Sequence, residues 1–309
     1  MSKVAILGVG AIGSIFGARL CLMERHDVTL CVRKPFEKFH IESPSGVIET
    51  PVRCVTDPAA AEPAEWILLA VKCHQIKDVV TWLKSIAGPN LTIAVLQNGV
   101  EHMENVSPYA NGAKVLPVVV QCPADRLGSG HVVQNAHANL VTPDTDEGRA
   151  LAALYEGSDI KVSSTPDFVT EKWLKLCGNL ARGPATALTG RGRGVASDPD
   201  IADFCHALVR ECAEVGRAEG ANIPEEAVDK ITASRVVPNP DATTSMLVDL
   251  RAGRPIEADG MTGAVVRIGA RHGIETPDVP PSHRSMSNER IFGTLSVVCR
   301  QSLLDNKRL

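Results

Sequence analysis

Apolar residues in the first half of the chain come in short continuous runs. Residues 4–7, 28–32, 66–71, 93–96 and 115–120 are such runs, and their lack of alternation predicts strands covered on both faces. Between them, residues 12–24 and 75–87 carry apolar positions at helical spacing. Alternating strands and helices predict a parallel, doubly wound sheet. From about residue 131 to 162 the pattern breaks into short strand-like pieces with turn residues between them. It changes again at Ser164-Thr165-Pro166. Beyond that point residues 168–180, 201–219, 225–234, 246–250 and 258–272 all read as helices, with almost no strand signal. The expected organisation is an α/β domain over residues 1–165 followed by an all-helical domain over residues 166–309.

Composition narrows the class. A chain of 309 residues corresponds to roughly two domains at about 150 residues each. With 44% hydrophobic and 22% charged residues, it can bury a core without metal or disulfide support. Net charge is −4, and no basic stripe is visible, so nucleic acid is not an expected partner. No apolar run reaches the length of about 18 residues that spans a bilayer, and the N-terminus runs straight into a strand-like segment, so no membrane partner is expected. The nine cysteines form no CxxC pair and read as reduced thiols of a cytoplasmic protein. The nine histidines form no HxH or HxxxH pair, and no metal is expected from spacing.

The first chemistry-bearing motif is Gly8-Val9-Gly10-Ala11-Ile12-Gly13, which follows an apolar strand and opens a helix. GxGxxG is weak in isolation and strong at the first strand–helix turn of a Rossmann-type domain. The first glycine permits the tight turn, the second lets the backbone approach a pyrophosphate, and the third lets helix and strand pack closely. The helix N-terminus then offers N–H groups to the anion. NAD-preferring proteins place an acid about 20 residues further on to bind the ribose hydroxyls. Here the second strand ends in Leu30-Cys31-Val32-Arg33-Lys34. Arg33 suits a 2′-phosphate and an adenine face, so NADP(H) is the expected cofactor; the bland reading is a solvated basic loop. Lys72, in Ala70-Val71-Lys72-Cys73-His74-Gln75, and Asn98, in Gln97-Asn98-Gly99, follow two further strands. Lys72 could neutralise a phosphate and Asn98 could bind the nicotinamide ribose, or both could be turn and cap residues.

In the second half, Val169, Trp173, Leu176, Cys177 and Leu180 form the apolar stripe of a helix. Lys175 and Asn179 are i, i+4 neighbours on a flank of that stripe. A cation and an amide on one flank, beside the core face, could point into an interdomain cleft, although an ordinary amphipathic helix with a solvated lysine carries the same pattern. His74 and His102 read as structural or exposed residues. Cys73, Cys122 and Cys177 lack a base partner in sequence, so no thiol nucleophile is expected.

Taken together, Gly8-x-Gly10-Ala-Ile-Gly13, Val71-Lys72-x-x-Gln75, Gln97-Asn98-Gly99, Trp173-x-Lys175-x-x-x-Asn179, Ser245-Met246-Leu247-x-Asp249 and Glu257-x-Asp259 resemble the ketopantoate reductase (2-dehydropantoate 2-reductase) family over nearly the whole chain. The resemblance implies an NADPH-dependent reduction of 2-dehydropantoate to pantoate. It implies Lys175 as general acid and Asn98 at the nicotinamide end. Asn179 and Ser245 would hold the substrate, and Glu257 would line the cofactor and the lysine. Gln75 joins the cofactor set through its motif, and Ala124 matches a backbone contact to the cofactor. A homodimer is also implied. Reduction places negative charge on a carbonyl oxygen, and an ammonium there both stabilises it and returns a proton.

Three positions depart from the family pattern: Gly183, Arg193 and Ala242 stand where asparagines are expected. Missing amides shift the specificity of a polar pocket, and Arg193, in Gly190-Arg191-Gly192-Arg193-Gly194, could take a carboxylate instead. The expected substrate is therefore a small 2-oxo acid, with 2-dehydropantoate the best named one. Another ketone in an altered pocket and a β-hydroxyacid dehydrogenase remain alternatives. A non-catalytic NADPH-binding regulator is a further one, though it has no need of Lys175 with Asn179.

Overall fold

The computed structural model describes residues 1–233 and 239–279. Contacts divide the chain into two units, Met1–Phe168 and Val169–Leu309. Residue 234 of the expected 225–234 helix and residues 280–309 of the expected second domain lie outside the described residues.

In the first unit, β1 (Ser2–Leu7) leads to α1 (Ala11–Leu22) and β2 (His26–Cys31); a hairpin of β3 (Lys38–Ser43) and β4 (Gly46–Pro51) precedes β5 (Cys54–Val55). Then come β6 (Trp66–Leu69), α2 (Val80–Ile86), β7 (Thr92–Val95), α3 (His102–Val106) and β8 (Lys114–Pro117). Strands β5-β2-β1-β6-β7-β8 form a six-stranded sheet in that order, parallel throughout. The order reverses between β1 and β6, the place where open α/β sheets gather ligands. The continuous apolar runs have a direct cause. Val4, Ile6 and Leu68 enter one core cluster, while their neighbours Ala5, Leu7, Ile67 and Leu69 enter another on the opposite face.

The expected 115–120 strand is in fact two. Pro117 ends β8, and after Val118 the chain starts β9 (Val119–Gln121) in a different sheet; proline has no N–H with which to extend a ladder. The remaining strands are β10 (Ala124–Arg126), β11 (His131–Gln134), β12 (Asn139–Pro143) and, after α4 (Asp146–Leu154), β13 (Lys161–Thr165). They form a four-stranded sheet β10-β11-β3-β4 and a three-stranded sheet β13-β12-β9. Helix α1 runs against both β1 and the four-stranded sheet, which explains why Gly13 to Leu20 are buried without a polar face. A Cβ at Gly17 would lie 2.5 Å from Ile6 and 3.5 Å from Phe39, so glycine sets the closeness of α1 to β1 and β3. Arg19, buried in α1, is held by Asp159 through Nε at 2.9 Å and Nη2 at 3.1 Å. That guanidinium keeps the Asp159 carboxyl below its ordinary pKa.

The expected 75–87 helix is α-helical only from Val80; residues Cys73–Val79 wind as a 3-10 helix. Gln75 N–H donates to Lys72 O at 2.8 Å, an i, i+3 bond that starts the tighter winding.

Among the described residues the second unit has helices and no strand: α5 (Phe168–Leu180), α6 (Gly183–Thr189), α7 (Pro199–Ala218), α8 (Glu225–Thr232), α9 (Ser245–Arg251) and α10 (Thr262–His272). Helix α6 has no counterpart in the sequence reading. A Cβ at Gly216 of α7 would meet the Trp173 indole at 3.0 Å, so α7 crosses α5 closely there. Helix α10 starts at Thr262 rather than at 258 because the preceding turn is tied back onto it: Arg267 donates to the Asp259 carboxylate and carbonyl, each at 2.8 Å.

Candidate dinucleotide and reductase residues

In the first unit the glycine turn is built by contacts that allow nothing larger. Gly8 has φ +96°, and a Cβ there would lie 2.4 Å from Val71 N. At Gly13 it would lie 2.1 Å from Gly8 O. Gly10 differs, because a Cβ would meet nothing within 4 Å. Gly10 is also the N-cap of α1, with no side-chain cap hydrogen bond. The first turn of α1 therefore begins beside open space, the cradle a pyrophosphate requires. Val9, Ala11 and Ile12 pack against the core cluster beneath. Arg33 and Lys34 follow β2 and are exposed. Asp27, at the start of β2, is ion-paired with Arg53 at 2.6 Å. The glycine turn thus fits a dinucleotide pyrophosphate.

The ends of β6 and β7 are cross-linked by Gln97, a motif residue to which spacing assigns no role. Buried Gln97 donates from Nε2 to Val71 O at 2.8 Å, and its own carbonyl is 3.1 Å from His102 Nε2. This fixes the segment carrying Lys72 relative to Asn98, both half-buried. Gln75 accepts the Lys72 N–H through Oε1 at 3.2 Å, so it shapes that turn. Gln97 stands in the Gln97-Asn98-Gly99 motif, but its bridging role and that of His102 come only from tertiary contact. Ala124 opens β10 opposite Gln134, on a strand that runs against α1.

In the second unit, Trp173, Leu176, Cys177 and Leu180 are buried along α5, while Lys175 and Asn179 are half-buried on one flank. Ser245 is the exposed first residue of α9, and Glu257 is buried. Helices α6 and α9 are joined by Thr186 and Thr244, whose hydroxyls lie 2.6 Å apart. Thr244 also caps α9 by accepting Leu247 N–H at 3.2 Å. Asp249, at the far end of α9, holds Arg254 at 2.9 Å and so orders the turn leading to Glu257.

The three departures acquire physical content. Gly183 is buried, and a Cβ there would already touch Met246 Sδ at 3.5 Å. Arg193 donates from Nε to Thr243 O at 3.1 Å, and its N–H donates to Ala242 O at 2.8 Å. Arg193 thus clamps the segment that delivers Ser245. Burial pushes Cys31 to about 12 and Cys21 and Cys205 to about 11, so these three thiols stay protonated near neutrality.

Sheet order, glycine turn and helical second unit place the chain among the Rossmann-type oxidoreductases. It belongs to the ketopantoate reductase family: the family descriptions "Ketopantoate reductase PanE/ApbA" and its C-terminal counterpart match residues 4–147 and 167–279. Members of this family are oxidoreductases acting on CH–OH groups and reduce 2-dehydropantoate to pantoate. A 2-dehydropantoate 2-reductase of Caulobacter vibrioides is 38% identical over 277 residues, covering 90% of this chain and 95% of that protein. A PanE/ApbA family ketopantoate reductase of Ralstonia eutropha superposes with a TM-score of 0.81 at 25% identity, covering 97% of this chain and 99% of the other. The fold is also that of a dimeric ketopantoate reductase of Staphylococcus aureus, with a TM-score of 0.80 at 23% identity over 97% of this chain and 99% of that one. Among the described residues no helix is long and apolar enough to cross a membrane.

Proposed function

We propose that this chain reduces a small 2-oxo acid with NADPH, 2-dehydropantoate being the substrate of choice. The observation that carries the reading is the open Gly10 position at the head of α1 in a chain that also sets Lys175 and Asn179 on one half-buried flank of α5. When bound, NADPH supplies hydride to the carbonyl carbon. Gly8, Gly10 and Gly13 with the first turn of α1 hold the pyrophosphate; Arg33 pairs with the 2′-phosphate, and Lys72 adds positive charge. Ala124 contributes a backbone contact to the cofactor. Asn98 orients the nicotinamide end, while Gln75, Gln97 and His102 hold the two turns in place. Lys175 Nζ donates a hydrogen bond to the substrate oxygen, stabilises its growing negative charge and transfers a proton to it. Asn179 and Ser245 bind the carboxylate and hydroxyl of the substrate, and Glu257 supplies a carboxylate to the lysine and the cofactor. The working assembly is a homodimer, a reading supported by the dimeric Staphylococcus aureus protein and tested by light scattering. Unpatterned free cysteines support a cytoplasmic setting.

The test follows NADPH oxidation with a panel of 2-oxo acids, repeated with NADH. Ketopantoate-dependent oxidation that favours NADPH is the expected result. Lys175→Ala keeps NADPH binding and loses about 10²–10³ in turnover, the usual cost of one such electrostatic contact. Equal use of NADH contradicts the role of Arg33. NADPH binding with no oxidation of any substrate overturns the enzyme reading in favour of a regulator.

A second reading, a ketone other than ketopantoate, is favoured by one observation. Gly183 packs on Met246 and Arg193 is engaged with Thr243, at two positions where the family pattern has asparagine. Preferential turnover of another oxo acid in the same panel selects it.

A further inference from the structure

Outside the reductase residues, the four-stranded sheet brings together a cluster that linear spacing does not reveal. His40 and Glu42 are two residues apart on β3 and so share a face. Strand β11 pairs with β3 in the register His131 opposite His40, and the two imidazoles meet edge to face with centroids 4.7 Å apart. Glu42 Oε1 lies 2.9 Å from His131 Nε2 and 3.8 Å from His40 Nε2. One ligand atom from each of the three residues falls within 4.8 Å of the others. Ligands bound to one tetrahedral ion through bonds of about 2.0–2.1 Å stand about 3.3 Å apart, and these separations bracket that value. All three side chains keep 35% to 46% of their surface exposed, so an ion has an entry path and water can complete the coordination.

A fourth residue orients the first. Glu49 lies opposite His40 on β4, and its Oε1 is 2.7 Å from His40 Nδ1. Lys38 fixes the same carboxylate at 2.9 Å. When Nδ1–H donates to that carboxylate, the Nε2 lone pair is left facing Glu42, the arrangement that metal-ligating histidines recurrently show. Two imidazoles and one carboxylate with an open position suit a borderline ion such as Zn²⁺ rather than Ca²⁺ or Mg²⁺.

We propose that His40, Glu42 and His131 form a Zn²⁺-class site that pins β11 to β3, with Glu49 as the residue that positions His40. Binding requires His131 Nε2 to be free of its proton, which passes to Nδ1 in the neutral ring or to solvent in the charged one, and no redox step is involved. Because β3 and β11 are about ninety positions apart in sequence, the ion ties together two distant stretches of the first unit.

The experiment uses the full chain without an affinity tag, stripped with a chelator and dialysed. Zn²⁺ is titrated against a chromophoric chelator, and Co²⁺ is added separately for its visible spectrum. One equivalent of Zn²⁺ binding at micromolar or tighter affinity is expected, with a Co²⁺ band intensity typical of four-coordination. His131→Gln and Glu42→Gln each weaken Zn²⁺ binding by more than about tenfold. Glu49→Gln weakens it by about tenfold, as loss of an outer partner does. The exposed control His137→Gln leaves it unchanged. Circular dichroism verifies that each variant is folded. Absence of stoichiometric binding, or binding indifferent to both His131→Gln and His40→Gln, overturns the proposal.

Discussion

Two glycine-rich loops in this chain serve opposite ends. In the turn Gly8–Gly13, two glycines are packed against the protein itself, yet the one between them, Gly10, faces open space. In the loop Gly190–Gly194 the open glycine is the first, Gly190, which ends α6 at φ +68°, while Gly192 and Gly194 are packed against the protein. A Cβ at Gly192 would lie 2.5 Å from Pro240 O, and one at Gly194 would lie 2.6 Å from Pro240 Cβ. The first loop therefore holds its neighbours close while leaving a gap for a ligand. The second closes on residues 240–242, which lead into α9 and Ser245. Glycine content alone does not distinguish the two uses; what a Cβ would meet at each position does.

Substitutions can separate them. Gly8→Ala has the largest expected effect, since it meets backbone at 2.4 Å and occupies φ +96°. We expect a loss of about 3 kcal/mol or more in urea unfolding, together with loss of dinucleotide binding. Asp159→Asn removes the partner of the buried Arg19 on α1, the helix that begins at the glycine turn. Leaving that cation uncompensated costs about 3 kcal/mol. Its pH dependence has a definite sign. The Asp159 pKa is depressed in the folded state, by the Arg19 hydrogen bonds first. Its stabilisation is therefore complete above the ordinary carboxylate range and is lost as pH falls through the folded pKa. The difference between wild type and Asp159→Asn should shrink in acid, as read by unfolding curves along a pH series. Gly194→Ala should cost about 2 kcal/mol while leaving NADPH affinity intact, by fluorescence titration. A drop in NADPH affinity there would break the distinction between the loops.

The contrast also shows which features are legible in a sequence. Parallel strands were readable because a sheet covered on both faces needs apolar residues at successive positions, as in Val4 to Leu7. The glycine turn was readable because its spacing and its place after β1 carry the meaning. Lys175 and Asn179 share a flank by helical arithmetic alone. By contrast, β3 alternates over only five residues, with Phe39 and Ile41 buried between Lys38, His40 and Glu42, and nothing local marks its pairing with the distant β11. Gln97, His102 and the Thr186–Thr244 pair act across elements, and nothing local distinguishes a buried bridging glutamine from an exposed one. Arg193 was read as a candidate for a substrate carboxylate because an arginine in a glycine loop suits an anion. Its contact with Thr243 O depends on which distant segment the loop meets.

Gly10→Ala is the smallest change to the fold and the most direct test of the account. Nothing lies within 4 Å of the added Cβ, and the backbone at φ −85° and ψ −155° accommodates alanine, so stability should change by less than about 1 kcal/mol. If the first turn of α1 is where the pyrophosphate sits, that methyl group occupies its place, and NADPH affinity should fall by about tenfold or more in a fluorescence titration. Unchanged NADPH affinity in a stably folded Gly10→Ala protein would contradict the assignment of this turn as the cofactor site.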